Sequence, residues 1–329
     1  MTEKPAGGRG RYDSKIIVPF VERYGTALAG LALVIFFVVF APNFASTVNI
    51  INVLKDTSFL AILALGFALA LTVAELDLSV AEVASLAAVT AGALVQAQFP
   101  PSVAVSAALG VGVACGLFNG FGVTVLKVPS LITTLGTAAI ARGLAFMATQ
   151  GVAFVGRWPT EFTGLARGAT LAIPNLLLWL SAVAVSIYVL LKWTRTGSRM
   201  VATGEADEAA RLAGIATARM KRLGLLLSSV LASVTAVLLA ANLSSAAPNM
   251  AGDYFLYAIA AVLLGMTMFE PGRPNVAGTV FAAFVLKVLG NGLVLLGAAY
   301  FVQDIVLGII IIGSVAFSAS VVKKAAFKV

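Results

Sequence analysis

One short stretch of an otherwise apolar region carries four side chains that could hold a proton or bind a polar solute. TVAELDLSVAEVASL, residues 72–86, contains Glu75, Asp77, Ser79 and Glu82. A carboxylate at the centre of a bilayer costs about 2.5–3.5 kcal/mol on insertion scales, so each acid must face a cavity or a partner. Two interpretations stay open: Asp77 or Ser79 caps the helix that follows, or the segment belongs to a transport pathway or its gate.

Other polar side chains lie inside long apolar runs. Asn119 and Asn291 stand beside glycines. Either they hydrogen-bond between helices, which is worth about 0.6–2 kcal/mol, or they contact a passing hydroxylated solute. Arg142 follows Thr133 and Thr134 along the same predicted helix, and its guanidinium can hydrogen-bond a solute or pair with a carboxylate.

Glycines repeat every four residues in one apolar run, at Gly112, Gly116 and Gly120. This spacing puts them on one helix face and favours close helix packing. The single cysteine, Cys115, lies in the same run and is interpreted as a small buried residue. The sequence has no histidine, no metal-ligand cluster, no nucleophile elbow and no phosphate-binding loop. We therefore expect neither an enzyme nor a cofactor or metal bound to this chain.

The composition is that of an integral membrane protein. Of the 329 residues, 60% are hydrophobic and 11% charged, and the mean hydropathy is +1.02. Soluble chains carry about 25% charged residues. The net charge of +8 does not indicate nucleic-acid binding, because the basic residues lie between apolar runs and form no stripe with aromatic residues.

A helix needs about 20 apolar residues to cross a bilayer. The sequence predicts an all-α membrane protein with about ten spans, of which the third, eighth and ninth are interrupted by polar residues. They cover residues 24–41, 57–73, 78–97, 101–125, 130–149, 171–192, 221–243, 254–269, 274–297 and 299–321.

Most of the 22 Lys and Arg residues lie in or beside the tail 1–23, the connection 193–220 and the C-terminal tail 322–329. Ten spans put these three segments on one side, and the positive-inside rule makes that side the cytoplasm. We therefore expect both termini in the cytoplasm. A transmembrane half over 24–192 and a second over 221–321 would then flank a cytoplasmic loop.

That loop contains GEADEAARLAGI, residues 204–215, a polar and helix-prone segment. Its acidic start suits a helix N-terminus. Arg211 follows Asp207 by four residues and Glu208 by three, spacings at which side chains can pair, and Gly214 is a helix stop signal. From these residues alone, the segment is either a solvated loop helix or a docking helix whose Ala209, Ala210 and Ala213 fit another protein's groove.

The segment resembles the coupling segment of ABC importer permeases for ribose, xylose, galactose and related sugars. Further elements of that family have similar counterparts, in the same order, over about residues 45–320. They are ELDLSV (75–80), GLFNGFGVTVLKVPSLITTLGTAAIARGLAFMATQG (116–151), LSSAAPNMAGDYFLYAIAAVLLG (243–265) and VLGNGLVLLG (288–297).

The resemblance implies a bacterial inner-membrane subunit that imports a monosaccharide or polyol. A second permease copy would complete the pathway, a periplasmic sugar-binding protein would deliver the solute, and a separate ATPase would hold ATP and Mg. Membrane lipid would surround the spans. The residues implied in ATPase coupling are Gly204, Glu205, Glu208, Ala209, Ala210 and Gly214. The candidates for the pathway are Glu75, Asp77, Ser79, Asn119, Thr134, Arg142 and Asn291.

The sequence departs from the family at two polar breaks. Ala74-Glu75 replaces a glycine pair, and Glu270-Pro271 stands where the family tends to have small residues. Paired breaks in two halves of a transporter can mark its transport site. Two other functions stay open: an ion-coupled secondary transporter that uses the carboxylates of Glu75, Asp77 and Glu82, or a membrane scaffold or enzyme subunit.

Overall fold

The computed structural model describes the backbone of residues 10–326 and the side chains of residues 24–299, 301–314 and 316. This part of the chain is mostly helical. The helices are α1 (Gly10–Phe40), α2 (Thr47–Thr72), α3 (Val80–Gln96), α4 (Pro101–Thr124), α5 (Ser130–Thr149), α6 (Thr160–Arg167), α7 (Asn175–Trp193), α8 (Arg195–Glu205), α9 (Asp207–Leu212), α10 (Thr217–Leu243), α11 (Tyr254–Gly265), α12 (Val276–Leu295) and α13 (Tyr300–Ala326).

Two short antiparallel strand pairs accompany the helices. β1 (Phe154–Val155) pairs with β4 (Ser245–Ala246), and β2 (Ala169–Thr170) pairs with β3 (Ile173–Pro174). The predicted all-α fold is therefore incomplete, because it lacks these strands and α6. Segments of two residues carry no periodic pattern from which a strand can be predicted.

Each of the ten predicted spans coincides with a helix. Among the described residues, six helices are long and apolar enough to cross a membrane: α2, α4, α5, α7, α10 and α12. Four shorter apolar stretches lie in α1, α3, α11 and α13. The largest difference from prediction is at α1, which begins at Gly10 instead of residue 24. α2 also begins early, at Thr47 instead of residue 57. The Ser46 hydroxyl caps the start of α2 by accepting a hydrogen bond from the Asn49 backbone N–H at 3.3 Å.

The predicted span 254–269 ends early, at Gly265, because a turn connects α11 to α12. The Asn275 side-chain amide donates to the carbonyl oxygens of Gly265 and Met268, at 3.2 and 3.1 Å. Its carbonyl oxygen accepts from the Gly278 backbone N–H at 2.7 Å and so caps α12. One side-chain amide therefore links the two ends of the 266–275 connection.

α2 and α10 form the centre of the bundle. Their most apolar windows are 83% and 67% buried, whereas those of α4, α5 and α7 are 17–28% buried. α10 packs against α2, α3 and α4. α8 and α9 lie at the end of the bundle where α2 ends and α10 begins, which we call the α8–α9 end.

Candidate functional site

The connection between α7 and α10 is anchored to the α8–α9 end of the bundle. The Thr194 hydroxyl begins α8 by accepting a hydrogen bond from the backbone N–H of Gly197 at 3.0 Å. The buried residues of α8 recur every three positions, at Gly197, Met200 and Thr203. α8 therefore packs with one face against the membrane helices.

The segment that was predicted as one helix around Glu205–Gly214 folds as two. Glu205 is the last residue of α8, and α9 is the six-residue helix Asp207–Leu212. Ala206, between them, is extended, with φ −157° and ψ 85°. The predicted bounds are therefore wrong, and the segment contains a sharp turn.

Gly204 makes a very close contact between this connection and the end of α2. A Cβ atom at this position would overlap the backbone carbonyl of Thr72 and lie 3.2 Å from the Ala74 backbone nitrogen. Only glycine lets two backbones approach so closely. The last turn of α8 thus lies directly on the end of α2, two residues before the chain turns at Ala206.

α9 presents a small apolar surface outward. Ala209 and Ala213 are exposed, and Leu212 is 86% exposed. Ala210 is only 5% exposed and faces the bundle. The predicted docking face of three alanines is therefore wrong at Ala210, because a six-residue helix lying on the bundle must turn one side inward. Sequence reasoning missed Leu212, although an exposed leucine at a helix tip is a typical anchor in a protein groove.

Gly214 ends α9 in the left-handed conformation, with φ +82°. Its backbone N–H donates to the Arg211 carbonyl, and the Ile215 N–H donates to the Ala210 carbonyl, both at 3.0 Å. These two bonds satisfy carbonyl groups that a helix end leaves free. A side chain at Gly214 would meet nothing within 4 Å, so glycine is required by backbone conformation and not by space.

Lys221 ties α9 to the connection between α2 and α3. Its ammonium lies 3.0 Å from the Glu75 carboxylate and 3.4 Å from that of Asp207. The predicted local pair of Arg211 with Glu208 is present at 3.8 Å, but both side chains are largely exposed, so it contributes little. Asp207 pairs with Lys221 and not with Arg211.

A second set of ion pairs joins α7 and α8 to the 266–275 connection. Arg273 lies 2.8 Å from the Glu205 carboxylate, and Lys192 lies 2.6 Å from that of Glu270. All four side chains line a cavity of about 910 Å³ between α8, the end of α7 and the end of α2. Glu75 and Glu270, at the two departures from the family pattern, are therefore both ion-pair partners at the α8–α9 end.

The turn before α3 is a buried hydrogen-bond cluster. The Asp77 carboxylate accepts from both the backbone N–H and the hydroxyl of Ser79. The Asn119 amide donates to the Ser79 hydroxyl oxygen at 3.0 Å, and its carbonyl oxygen accepts from the Thr137 hydroxyl. The sequence predicts either Asp77 or Ser79 as the cap of α3. Ser79 makes no side-chain hydrogen bond to the amides of α3, whereas Asp77 accepts from the backbone N–H of Ser79 at the start of that helix.

The start of α5 holds the same turn from another side. The Thr134 hydroxyl accepts from the Leu78 backbone N–H at 3.1 Å and lies 3.2 Å from the Leu76 carbonyl oxygen. The Ser130 hydroxyl accepts from the Leu76 backbone N–H at 3.2 Å. Four of the predicted pathway residues, Asp77, Ser79, Asn119 and Thr134, therefore form one cluster and hydrogen-bond within the protein.

Two other predicted pathway residues lie elsewhere. Arg142 is exposed on α5, 5.7 Å from the centre of the Phe146 ring, and its charge attracts that of Glu82 on α3. Asn291 exchanges two hydrogen bonds with Asn49, at 2.9 and 3.0 Å, near the opposite end of the bundle. The structure therefore does not bring all the candidates into one site.

The glycine repeat of α4 faces α10. A Cβ at Gly112 would lie 2.6 Å from the Ser229 carbonyl oxygen, and one at Gly116 would lie 2.7 Å from the Leu226 Cα. A Cβ at Gly120 would lie 3.0 Å from the Arg222 side chain. The three glycines therefore allow α4 and α10 to pack at close range, directly behind the Asp77 cluster.

Sequence reasoning missed the basic partners Lys192, Lys221 and Arg273. They had been counted only as a charge bias that sets orientation. The sequence contains a signal for them. Buried acids need cationic partners, and these three residues lie on the same predicted side of the membrane as both acidic breaks.

Known proteins are similar to this chain over most of its length. Residues 49–315 match the family model described as "Branched-chain amino acid transport system / permease component". The chain is 33% identical to the ribose import permease protein RbsC of Escherichia coli (strain K12) over 95% of this chain and 97% of that protein. It is also 33% identical to the L-arabinose transport system permease protein AraH of the same organism, over 90% of each chain.

A solved structure of a metal-chelate type ABC transporter in an inward-facing conformation is similar at 14% identity, with a TM-score of 0.48. The similarity covers 93% of this chain and 98% of that one.

Proposed function

We propose that this chain, which belongs to the branched-chain amino acid transport system / permease component family, works as part of an importer. It would form the membrane pathway of an ATP-driven importer for a monosaccharide or related polyol. It is a transport subunit, and ATP hydrolysis takes place on a separate ATPase. The observation that carries the sugar assignment is 33% identity to ribose and arabinose permeases over 90% or more of the chain.

The membrane arrangement that we propose has ten crossings of the bacterial inner membrane with both termini in the cytoplasm. Six long apolar helices and four shorter apolar stretches support this number. The basic residues of the α7–α10 connection support a cytoplasmic location for the α8–α9 end.

The α8–α9 end is the proposed docking surface for the ATPase, which would hold ATP and Mg. Leu212, Ala209 and Ala213 would enter a groove of that subunit. Movement of α9 would reach the membrane helices through two kinds of contact: the backbone of Gly204 on the end of α2, and the ammonium of Lys221 on Glu75 and Asp207.

A substrate-binding protein and a second permease copy complete the proposed assembly, with lipid around it. The exposed face of α5 suits the second copy, because a side chain at Gly136 or Gly143 would meet nothing within 4 Å in the single chain. Leu135 and Ile140 are about half exposed on the same helix, and apolar patches of this kind mark interaction surfaces.

The ion-coupled alternative is not supported. The relatives are permeases of import systems, and Glu75, a carboxylate that such a mechanism would protonate, is paired with Lys221. The Asp77 carboxylate likewise accepts hydrogen bonds within the protein.

Reconstitution into sealed liposomes tests the function. Liposomes that contain the chain, its ATPase and its binding protein should accumulate labelled ribose or arabinose when ATP is supplied on the side of the membrane where the ATPase is bound. Accumulation should stop when the ATPase is replaced by a variant that binds but does not hydrolyse ATP. Uptake by the chain alone under a proton gradient would contradict the proposal.

A further inference from the structure

A second cavity lies at the end of the bundle opposite to α8 and α9. It measures about 260 Å³, and polar groups line it from four helices: Asp56 of α2, Tyr257 of α11, Lys287 and Asn291 of α12, and Gln303 of α13. It is smaller than the roughly 300–1,000 Å³ of pockets for drug-sized ligands. None of these residues except Asn291 had been connected with function by sequence reasoning.

The polar groups of this cavity have unused hydrogen-bonding capacity. Within the described part of the chain, Asp56, Tyr257, Lys287 and Gln303 make no side-chain hydrogen bond or ion pair. The Lys287 ammonium lies instead 4.5 Å from the centre of the Tyr254 ring and 5.5 Å from that of Tyr257. Asp56 is exposed and the other three side chains are partly buried, so water or a polar ligand in the cavity would supply their partners.

The charges of the lining balance. Asp56 and Lys287 face the same cavity, and their charges attract one another. Asp253 also acts on Lys287, and Asp304 acts on Tyr257, but neither of these two carboxylates lines the cavity, whereas Asp56 does. An anion would be repelled by Asp56 and a cation by Lys287, so an uncharged ligand meets the least opposition.

The lining offers such a ligand both donors and acceptors. The Lys287 ammonium and the Gln303 amide can donate to hydroxyl oxygens, and the Asp56 carboxylate can accept from hydroxyl groups. The Tyr257 ring offers an apolar face. Gly290 keeps this space open, since a Cβ there would lie 3.0 Å from the Gln303 side-chain oxygen.

The cavity lies at the end of the bundle that the proposed topology assigns to the outer side of the membrane. Asp56 lies in the first half of α2, whose other end meets Gly204, and Lys287 lies in the second half of α12, which begins at the 266–275 connection. We propose that this cavity binds an uncharged monosaccharide or polyol as it enters the permease from the side away from the ATPase. This inference rests on the proposed function and adds a binding site to it.

Protection of an introduced thiol tests the site. In full-length protein carrying Cys115→Ser, the substitution Val294→Cys places a thiol at the cavity lining, where the valine is 56% exposed. A water-soluble maleimide should label it more slowly by a factor of one plus the ratio of sugar concentration to dissociation constant. Ribose, arabinose and galactose are the probes. Val48→Cys, at a 72% exposed position outside the cavity, should label at the same rate with and without sugar.

Charged analogues test the ligand class. Galacturonate and glucosamine, at the same concentration, should not slow labelling of the Val294→Cys thiol. Adding Asp56→Asn should let galacturonate protect, and adding Lys287→Met should let glucosamine protect, because each change removes the charge that repels that analogue. If Asp56 and Lys287 had only a structural role, these two substitutions would not change which charged analogue protects the thiol.

The outcomes separate the site from the function. If no neutral sugar protects the thiol, or if both charged analogues protect it equally in the unaltered lining, the site is overturned, even where the complex imports sugar with ATP. Protection without ATP-dependent import by the complete complex would overturn the proposed function and leave the binding site.

Discussion

The Lys221 ammonium lies 3.0 Å from the Glu75 carboxylate, and the two side chains are only 23% and 9% exposed. The same ammonium lies 3.4 Å from Asp207. One side chain on α10 therefore holds together the α2–α3 connection and α9. Because the pair is largely removed from water, loss of one member leaves the other charge without compensation.

We predict that Lys221→Met destabilises the protein more than the double change Glu75→Gln with Lys221→Met. Thermal unfolding of the four proteins in detergent gives the coupling free energy, which we expect to be about 0.5–3 kcal/mol. Strictly additive effects of the two single changes would contradict an energetic link between the residues.

The Lys192–Glu270 pair is a matched control for this cycle. Its side chains are 44% and 37% exposed, and exposed pairs are worth about 0.2–1 kcal/mol. The cycle of Lys192→Met with Glu270→Gln should therefore give a smaller coupling free energy, and added salt should reduce it further.

Gly204→Ala should weaken coupling because its Cβ atom would overlap the Thr72 carbonyl and force α8 away from α2. We expect the ratio of solute imported to ATP hydrolysed to fall in reconstituted complexes. Gly308→Ala, where an added Cβ meets nothing within 4 Å, is the control and should leave the ratio unchanged. An unaltered ratio in Gly204→Ala would show that this contact does not transmit movement.

Bulky or charged changes on the outer face of α9 should abolish ATPase stimulation and leave membrane insertion intact. Ala209→Trp would fill the groove position, Leu212→Asp would remove the apolar anchor, and Gly214→Leu would strain a left-handed residue. Co-purification of the ATPase and its solute-dependent activity are the measurements. Ala97→Trp, at an exposed position at the other end of α3, should behave as the parent protein. Full stimulation in all three variants would rule out α9 as the docking element.

The helices were predictable because the apolar runs are long, but their ends depend on particular polar contacts. Polar residues interrupt the apolar pattern in the first turns of α2, at Asn49, Lys55 and Asp56, yet Ser46 caps a helix there. The break at Ala206 has no signal, because alanine is the best helix former. It follows the contact of Gly204 with α2, which joins residues far apart in the sequence.

The candidate site was predictable as a set of acids but not as a set of pairs. Glu75, Asp77 and Glu270 stood out because acids in apolar surroundings need partners. The basic partners of Glu75 and Glu270 lie on other helices: Lys221 is on α10 and Lys192 on α7. The charge pattern sets the side of the membrane on which these groups lie, but tertiary packing decides which of them meet.

Asn119→Leu should separate the two roles that its sequence position leaves open. The change removes the partner of the Ser79 hydroxyl and of the Thr137 hydroxyl, both buried. If the amide is interhelical, unfolding in detergent should show a loss of about 0.6–2 kcal/mol, with the KM for solute unchanged in the folded fraction. A raised KM with unchanged stability would assign Asn119 to the pathway instead.

Gly116→Ala should destabilise the bundle because α10 leaves no space beside this residue. An added Cβ would lie 2.7 Å from the Leu226 Cα and 3.1 Å from its carbonyl oxygen, and backbone atoms cannot move aside as a flexible side chain can. Overpacking of this kind costs about 1–3 kcal/mol. Gly110→Ala, on the same helix with nothing within 4 Å of its Cβ, should instead be neutral or gain about 0.4–1 kcal/mol by restricting the unfolded chain. Thermal unfolding of both variants checks the difference, and equal stabilities would mean that α4 and α10 do not pack through this glycine face.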